Sequence, residues 1–273
     1  LLNHTSGLSY FFNDDLIARE YLKRYLTASP DNLNLALFSE KVSRLPLSFK
    51  PGSKWNYSVG IDLAGRLIEM ISGEPLDVYI SKNLLDKLNM VDTQFFLPDS
   101  KTDRLSDCFF YHTMPEQFLP LVQQYQNFHY KKNEVTNLSG GSGLLSTGHD
   151  YLQFANLLLN DGKFKNSRIL AKAVMNKIRA NSICQDIAAI GVESFAQMPT
   201  SGMGHSLAGS VIINPNAGFV SNVGDFGWGG MASNYFWIDF KKKYAAVFMT
   251  QLLPSASYPN RRELKKLVNQ SLQ

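Results

Sequence analysis

The chain has 273 residues, 44% of them hydrophobic and 18% charged, which is too apolar for a disordered segment and ordinary for a folded enzyme. That length lies near the size at which one core stops growing, so a single bilobal unit and two small domains both fit. The net charge of +4 is small, and the basic residues are scattered apart from Lys241-Lys242-Lys243 and the stretch Arg261 to Lys266, which argues against a nucleic-acid partner.

No run approaches the length of a membrane span, and no repeat of fixed period or low-complexity linker divides the chain. The opening Leu1-Leu2-Asn3-His4 resembles neither a signal peptide nor a natural start. After Tyr57, the residues Leu63, Ala64, Leu67, Ile68 and Ile71 fall three and four apart, which predicts one apolar helix face with Gly73 as the stop. Pro75 opens a second predicted helix to about Leu88, with Leu76, Ile80 and Leu84 on one side. Ser146-Thr147 precede Asp150 and the stripe Leu152, Ala155, Leu158 and Leu159, a capped helix ending near Gly162. A fourth helix is predicted over Ala171 to Ala180.

The last third changes character. Ser210 to Asn214, Asn234 to Asp239 and Tyr244 to Gln251 are short β-branched and aromatic runs, with turns at Pro215-Asn216 and Lys241-Lys242. Pro259 to Leu272 reads as a closing amphipathic helix. Helices first and consecutive strands later predict an α/β chain of the α+β kind, an antiparallel sheet flanked by helices plus a helical lobe. The expected division is a helical lobe over about 1–182 and a sheet lobe over about 183–273 of one domain. Ala245 to Met249 is apolar at five consecutive positions, which predicts a strand covered on both faces and central in its sheet, with Tyr235 to Asp239 as one neighbour.

The remaining chemistry-bearing residues are sparse. Cys108 and Cys184 belong to no metal-ligand spacing and read as two unpaired thiols. The five histidines are isolated, and there is no phosphate loop or dinucleotide fingerprint, so neither a catalytic metal nor a cofactor is expected. Gly204-His205-Ser206-Leu207-Ala208-Gly209 has the letters of a G-x-S-x-G nucleophile elbow. That elbow needs a strand before it, a helix after it and a later histidine; no histidine follows His205, and Val211 to Ile213 reads as strand.

Three segments carry a family resemblance. Leu2-Asn3-His4-Thr5-Ser6-Gly7-Leu8 resembles "LLTHTSGL", Pro51-Gly52-Ser53-Lys54-Trp55-Asn56-Tyr57-Ser58 resembles "PGxxWxYS", and Gly140 to Thr147 resembles "GGxGLxST". The tail Phe226-Gly227-Trp228-Gly229-Gly230, with Tyr235 to Asp239 and Phe248 to Gln251, is similar to "GWGG…FWVDP…FMTQ". Together these resemble the serine β-lactamase and penicillin-binding-protein family, and most of all the esterases related to class C β-lactamases.

The resemblance implies a β-lactamase/DD-peptidase-like fold and an acyl-enzyme mechanism. A serine in S-x-x-K attacks an ester or amide carbonyl, a tyrosine works with the lysine as general base, and a W-G-G strand lines the pocket. Tyr57 matches the tyrosine, Trp228, Gly229 and Gly230 match the strand, and Met231 is placed to give the oxyanion N–H. A free tyrosine, with its pKa near ~10, needs a nearby cation to act as a base, and the lysine would be that cation. No serine of this chain has a lysine three residues on, so the nucleophile and lysine are expected upstream of Leu1, and the 273 residues alone are expected to show no burst of ester hydrolysis. The same upstream segment, or a second chain, is expected to supply the other neighbour of Tyr244 to Gln251.

Val59 stands where class C β-lactamases carry Asn, and the tail is W-G-G in place of K-T-G. Both departures tilt the reading from β-lactamase to esterase, peptidase or acyl transfer. Small carboxylic esters are the preferred substrates, β-lactams or D-amino-acid peptides come second and acyl transfer to an alcohol third; a scaffold that lost its nucleophile is the non-enzymatic alternative. Outside its flanking pattern Tyr57 reads as a packing aromatic, and Gly229-Gly230 as a strand bulge. His4 reads as a turn residue and Ser142 and Ser146 as loop and cap residues. The stretch Asp99 to Asn137 carries no readable specificity code. Compartment and oligomeric state are not written in the sequence.

Overall fold

The computed structural model describes residues 1–27, 29, 33–113, 116–120, 130–196, 198–215, 221–255 and 257–272. The chain forms two compact units interleaved in sequence, Leu1–Leu105 with Phe128–Ser146, and Ser106–Asn127 with Thr147–Gln273. No helix among the described residues is long and apolar enough to cross a membrane.

The first unit is helical. Helix α1 (Leu16–Lys23) is capped by Asp15, whose carboxylate accepts the N–H groups of Ile17 and Ala18 at 2.9 and 2.8 Å. Helix α2 (Leu35–Ser43) is capped by Asn34 in the same way. Helix α3 (Gly60–Ser72) follows Tyr57 as predicted and stops at Gly73, which sits at φ +72°.

The buried face of α3 matches the predicted one only in part, with Leu63 and Ile68 packed against the core. Gly60, Asp62 and Gly65 are buried, whereas Leu67, Met70 and Ile71 are 45, 64 and 85% exposed. The cause is backbone approach. A Cβ on Gly60 would stand 2.7 Å from the Leu1 carbonyl oxygen, and one on Gly65 would stand 3.3 Å from the Gly140 Cα. Close backbone takes the small-residue face, and the large residues at Leu67 and Ile71 turn away from it.

The second predicted helix is a continuous helical run of α4 (Leu76–Ile80), a π turn (Ser81–Leu85) and α5 (Asp86–Leu88). The π turn adds a residue and shifts the buried stripe by one, so Leu85 and Leu88 are buried and Leu84 only partly. The core gathers Tyr10, Tyr21, Leu26, Phe38, Val42 and Val59.

The second unit is built on an antiparallel five-stranded sheet. In chain order its strands are β7 (Met203–His205), β8 (Ser210–Ile212), β9 (Phe226–Gly229), β10 (Tyr235–Asp239) and β11 (Tyr244–Phe248). Spatially they run β11-β10-β9-β8-β7. Before them come the hairpin β1 (Phe109–Thr113) and β2 (Glu116–Pro120), helix α6 (Gly148–Leu159), the short pair β3 (Lys163–Phe164) and β4 (Ser167–Arg168), and helices α7 (Lys172–Arg179) and α8 (Ile187–Ile190). The short pair β5 (Ser194–Phe195) and β6 (Met198–Pro199) leads into the sheet; β12 (Leu252–Leu253) and α9 (Asn260–Ser271) close the chain. Helix α6 carries the predicted cap, Thr147 Oγ1 accepting the Asp150 N–H at 3.2 Å. Ala155 and Leu158 of α6 share a core with Val211, Phe226 and Ile238.

Strand β11 pairs with β10 as expected, Tyr235 facing Phe248 and Asp239 facing Tyr244, and among the described residues it forms the sheet edge. The turn between them is closed by Asp239, whose carboxylate accepts the Lys242 N–H at 2.7 Å. Pro215-Asn216 is the other predicted turn, and Asn216 lies outside the described residues. The hairpin β1–β2, with β12 parallel to β1, falls within Asp99 to Asn137, where no element was predicted.

The closing helix α9 carries a polar buried face. Arg261, Lys265 and Asn269, spaced by four, are all buried, while Leu267 is exposed. The Gly204 to Gly209 segment is the β7–β8 hairpin, with Ser206 buried and its hydroxyl bonded to the Gly209 carbonyl oxygen at 3.1 Å. It is a turn and not a strand–helix elbow. The two cysteines are both unpaired thiols.

Candidate active site

In the first unit, the opening segment is laced to the segment that carries Tyr57. The N–H groups of Ser48, Gly52, Asn56 and Val59 donate to the carbonyls of Gly7, Thr5, His4 and Ser9 at 2.8, 2.7, 2.9 and 3.2 Å. Gly7 sits at φ +84°, and a Cβ there would stand 2.4 Å from the Phe49 carbonyl oxygen. Only glycine fits that seam. The two sequence motifs are therefore two sides of one structure.

His4 is buried at the centre of the seam. Its Nδ1 accepts the Ser58 N–H at 3.2 Å, which places the ring proton on Nε2, and its ring lies 4.5 Å from that of Tyr57. It fixes the turn, as the sequence reading expected. Tyr57 is half-buried, although Trp55, Ser58 and Val59 around it are buried. Its ring stacks on Tyr10 at 5.7 Å and on Phe12 at 6.0 Å, and its carbonyl accepts from the Asn13 side chain at 2.8 Å. Val59, where related lactamases carry Asn, is fully buried in the core and faces no solvent.

Asp62, in the first turn of α3, ties this segment to the loop Gly140 to Thr147. Its carboxylate accepts the Ser139 hydroxyl and the Gly141 N–H, and the Ser139 oxygen in turn accepts the Ser142 N–H at 3.0 Å. A Cβ on Gly140 would stand 2.3 Å from the Ile61 carbonyl oxygen, so the glycines are what let the loop lie on the helix. Burial pushes the Asp62 carboxyl up against the downward pull of these hydrogen bonds. The neighbouring Tyr10 hydroxyl is also pushed up, by burial first and then by Asp62 and Tyr57. Ser142 bonds to Ser139 at 3.1 Å and Ser146 to Thr93 at 2.8 Å, which makes both loop residues.

In the second unit, Trp228 and Gly229 end β9, and Gly230 to Asn234 form the loop into β10. Trp228 is clamped between Phe195, stacked at 5.7 Å, and the edge of His205 at 5.1 Å. His205 is buried and bonds through Nδ1 to the Ser206 carbonyl oxygen at 2.6 Å. Burial pulls its pKa down to about 4. A Cβ on Gly229 would stand 2.5 Å from the Arg261 guanidinium carbon and displace that side chain, whereas one on Gly230 would meet only the Asn234 side chain at 3.5 Å. Arg261 donates to the Gly230 carbonyl oxygen at 2.6 Å.

Of the expected site residues, Tyr57 thus belongs to the first unit, and Trp228, Gly229, Gly230 and Met231 to the second. Asp62, His205 and Arg261 were not singled out from sequence. Arg261 read only as one end of the short basic stretch Arg261 to Lys266, and only its spacing of four from Lys265 and Asn269 distinguishes it.

The chain matches the protein family described as Beta-lactamase over residues 1–270. It is 29% identical over 257 residues to a lovastatin esterase of Penicillium rubens, covering 90% of this chain and 62% of that protein. It is 30% identical over 169 residues to the acyltransferase mokF of Monascus pilosus, covering 60% of this chain and 38% of that one. Among solved structures, a simvastatin synthase mutant of Aspergillus terreus superposes with a TM-score of 0.79 at 22% identity, over 100% of this chain and 65% of that one. The chain spans about 62% of the length of the esterase.

Proposed function

The chain belongs to the β-lactamase family, and from that premise we propose that the protein is a serine hydrolase acting through an acyl-enzyme on small carboxylic esters. In this reading Tyr57 takes the proton of the attacking serine and later returns one to the leaving group or passes one from water. Trp228 and Gly229 line the acyl pocket, and the Met231 N–H binds the oxyanion. The nucleophile and its lysine come from an S-x-x-K segment outside these 273 residues, none of whose serines has a lysine three residues on.

One observation carries the reading. Tyr57 is half-buried, as is Asn56 beside it, while Trp55, Ser58 and Val59 are buried, and its ring is held by His4, Tyr10 and Phe12. A reactive phenol needs a fixed ring and an open face, and the held ring and partial exposure of Tyr57 support that role. Buried Val59 offers no amide to a substrate, which supports esters over β-lactams. The likeness to an acyltransferase supports a second activity, in which an alcohol replaces water as the acyl acceptor.

The test uses the full-length protein, a fluorophosphonate probe and p-nitrophenyl butyrate. The expected result is labelling of one serine, with Tyr57→Phe lowering the acylation rate about 10²–10⁴-fold while the fold is kept. A Tyr57→Phe rate within a factor of a few of wild type removes Tyr57 from the mechanism. No serine labelling makes the protein a non-catalytic binding module.

A further inference from the structure

We propose that Arg261 is a positioning residue that sets the direction and polarity of the Met231 N–H, an inference that rests on the acyl-enzyme reading above. Arg261 is in the first turn of α9 and is 7% exposed. Its Nη2 donates to the Gly230 carbonyl oxygen at 2.6 Å, its guanidinium lies flat against Gly229, and it stands 5.8 Å over the Tyr235 ring. No carboxylate forms an ion pair with it among the described residues. A buried guanidinium without an anion is costly to keep, and this one is spent on a single peptide oxygen.

That oxygen belongs to the peptide joining Gly230 to Met231. In a planar trans peptide the C=O and N–H point to opposite sides, so a hold on one end aims the other. A charge-assisted bond to the oxygen also draws electron density from the amide and strengthens its N–H as a donor. The rest of the loop is held independently. The Gly230 N–H donates to Asn234 O at 2.9 Å, the Leu252 N–H to Ala232 O at 3.2 Å, and the Ser233 hydroxyl to the Leu252 carbonyl oxygen at 2.8 Å. The Thr250 N–H donates to the Asn234 side chain at 2.8 Å. Within this fixed loop the Met231 N–H has no acceptor among the described residues, and the Met231 side chain is 60% exposed. The N–H groups of Ala232, Ser233 and Asn234 likewise have no acceptor among the described residues, and what sets the Met231 N–H apart is that its peptide is the one the arginine grips.

The experiment compares wild type, Arg261→Ala and Arg261→Lys in the full-length protein, with p-nitrophenyl butyrate as substrate, thermal unfolding as the control for folding, and methylguanidinium as a rescue agent. Removing an oxyanion donor outright costs about 10²–10³ in kcat. Misdirecting it is expected to lower kcat of Arg261→Ala by about 10-fold or more with KM within about twofold, and methylguanidinium should restore part of the rate. Arg261→Lys, which keeps the charge and loses the flat fork, is expected to fall between the two and is the arm that decides if Arg261→Ala does not fold. Folded variants that acylate at the wild-type rate overturn the inference and leave the proposed function standing. So does a loss confined to KM, or one that methylguanidinium does not touch. Absence of acylation in the wild type overturns the proposed function, and the inference with it.

Discussion

Replacing His205 with glutamine should remove most of the acid sensitivity of the second unit. The ring is buried beneath Trp228 with its Nδ1 on the Ser206 carbonyl oxygen, and burial pulls its pKa from 6.5 to about 4. In the unfolded chain the same ring takes up its proton near 6.5. Between those two values the unfolded state binds the extra proton and the folded state does not, so stability is full above pH 6.5 and is lost as pH falls toward 4. At 1.36 kcal/mol per pH unit the whole loss is about 3 kcal/mol, of which roughly 2 kcal/mol is gone by pH 5. The buried carboxyls Asp62 and Asp225 are both pushed up by burial, so they act in the opposite sense, losing stability as pH rises through their folded values. A single pH profile therefore mixes signs, and the difference between wild type and His205→Gln isolates the histidine. Glutamine keeps an N–H donor for the Ser206 carbonyl and has nothing to titrate. Urea unfolding followed by tryptophan fluorescence at pH 7, 6 and 5 should show the wild-type advantage shrinking by roughly 2 kcal/mol. Parallel stabilities of the two proteins over that range would refute the burial argument.

Two further predictions concern packing. Lys265 and Asp225 form a buried ion pair at 3.0 Å, so Lys265→Ala should lower stability by about 3–5 kcal/mol, while Lys265→Ala combined with Asp225→Ala should recover part of that loss in a double-mutant cycle by chemical unfolding. Gly140→Ala forces a Cβ within 2.3 Å of the Ile61 carbonyl oxygen and should cost about 1–3 kcal/mol or more, read as a fall in thermal midpoint; an unchanged midpoint would show that the loop does not need to lie on α3.

Helix positions after Tyr57 were largely legible in the sequence, whereas α1, α2 and α8 were not predicted, and helix faces were legible only in part. The period of apolar residues placed α3 and the stop at Gly73 correctly, because propensity and capping are local. It placed Leu63 and Ile68 against the core but also put the exposed Leu67 and Ile71 there, because the decisive contacts are the Leu1 carbonyl against Gly60 and Gly140 against Gly65, which come from distant parts of the chain. The Leu84 misplacement has a similar origin, since a π turn leaves no mark in a periodicity count. Tyr57 and the W-G-G strand stood out as candidates only through their flanking patterns. Asp62 and Arg261 were not, because a charged residue in a helical pattern looks like a solvated one until the partner that buries it is known.

The polar inner face of α9 makes the closing helix a keyed joint. An apolar face tolerates a slide of one turn, since one leucine can take another's place. Here Arg261 meets a peptide oxygen, Lys265 a carboxylate, and the Asn269 side chain and carbonyl receive the Lys242 ammonium at 3.3 and 3.4 Å. A one-turn slip would leave Asp225 buried without its cation and the Gly230 carbonyl without its donor, so only one registry of helix on sheet is stable. Drift in the outward-facing residues of this helix is therefore free, whereas an inserted or deleted residue between Gly230 and Arg261 has to be absorbed in the connecting segment, because the helix itself has no second seat.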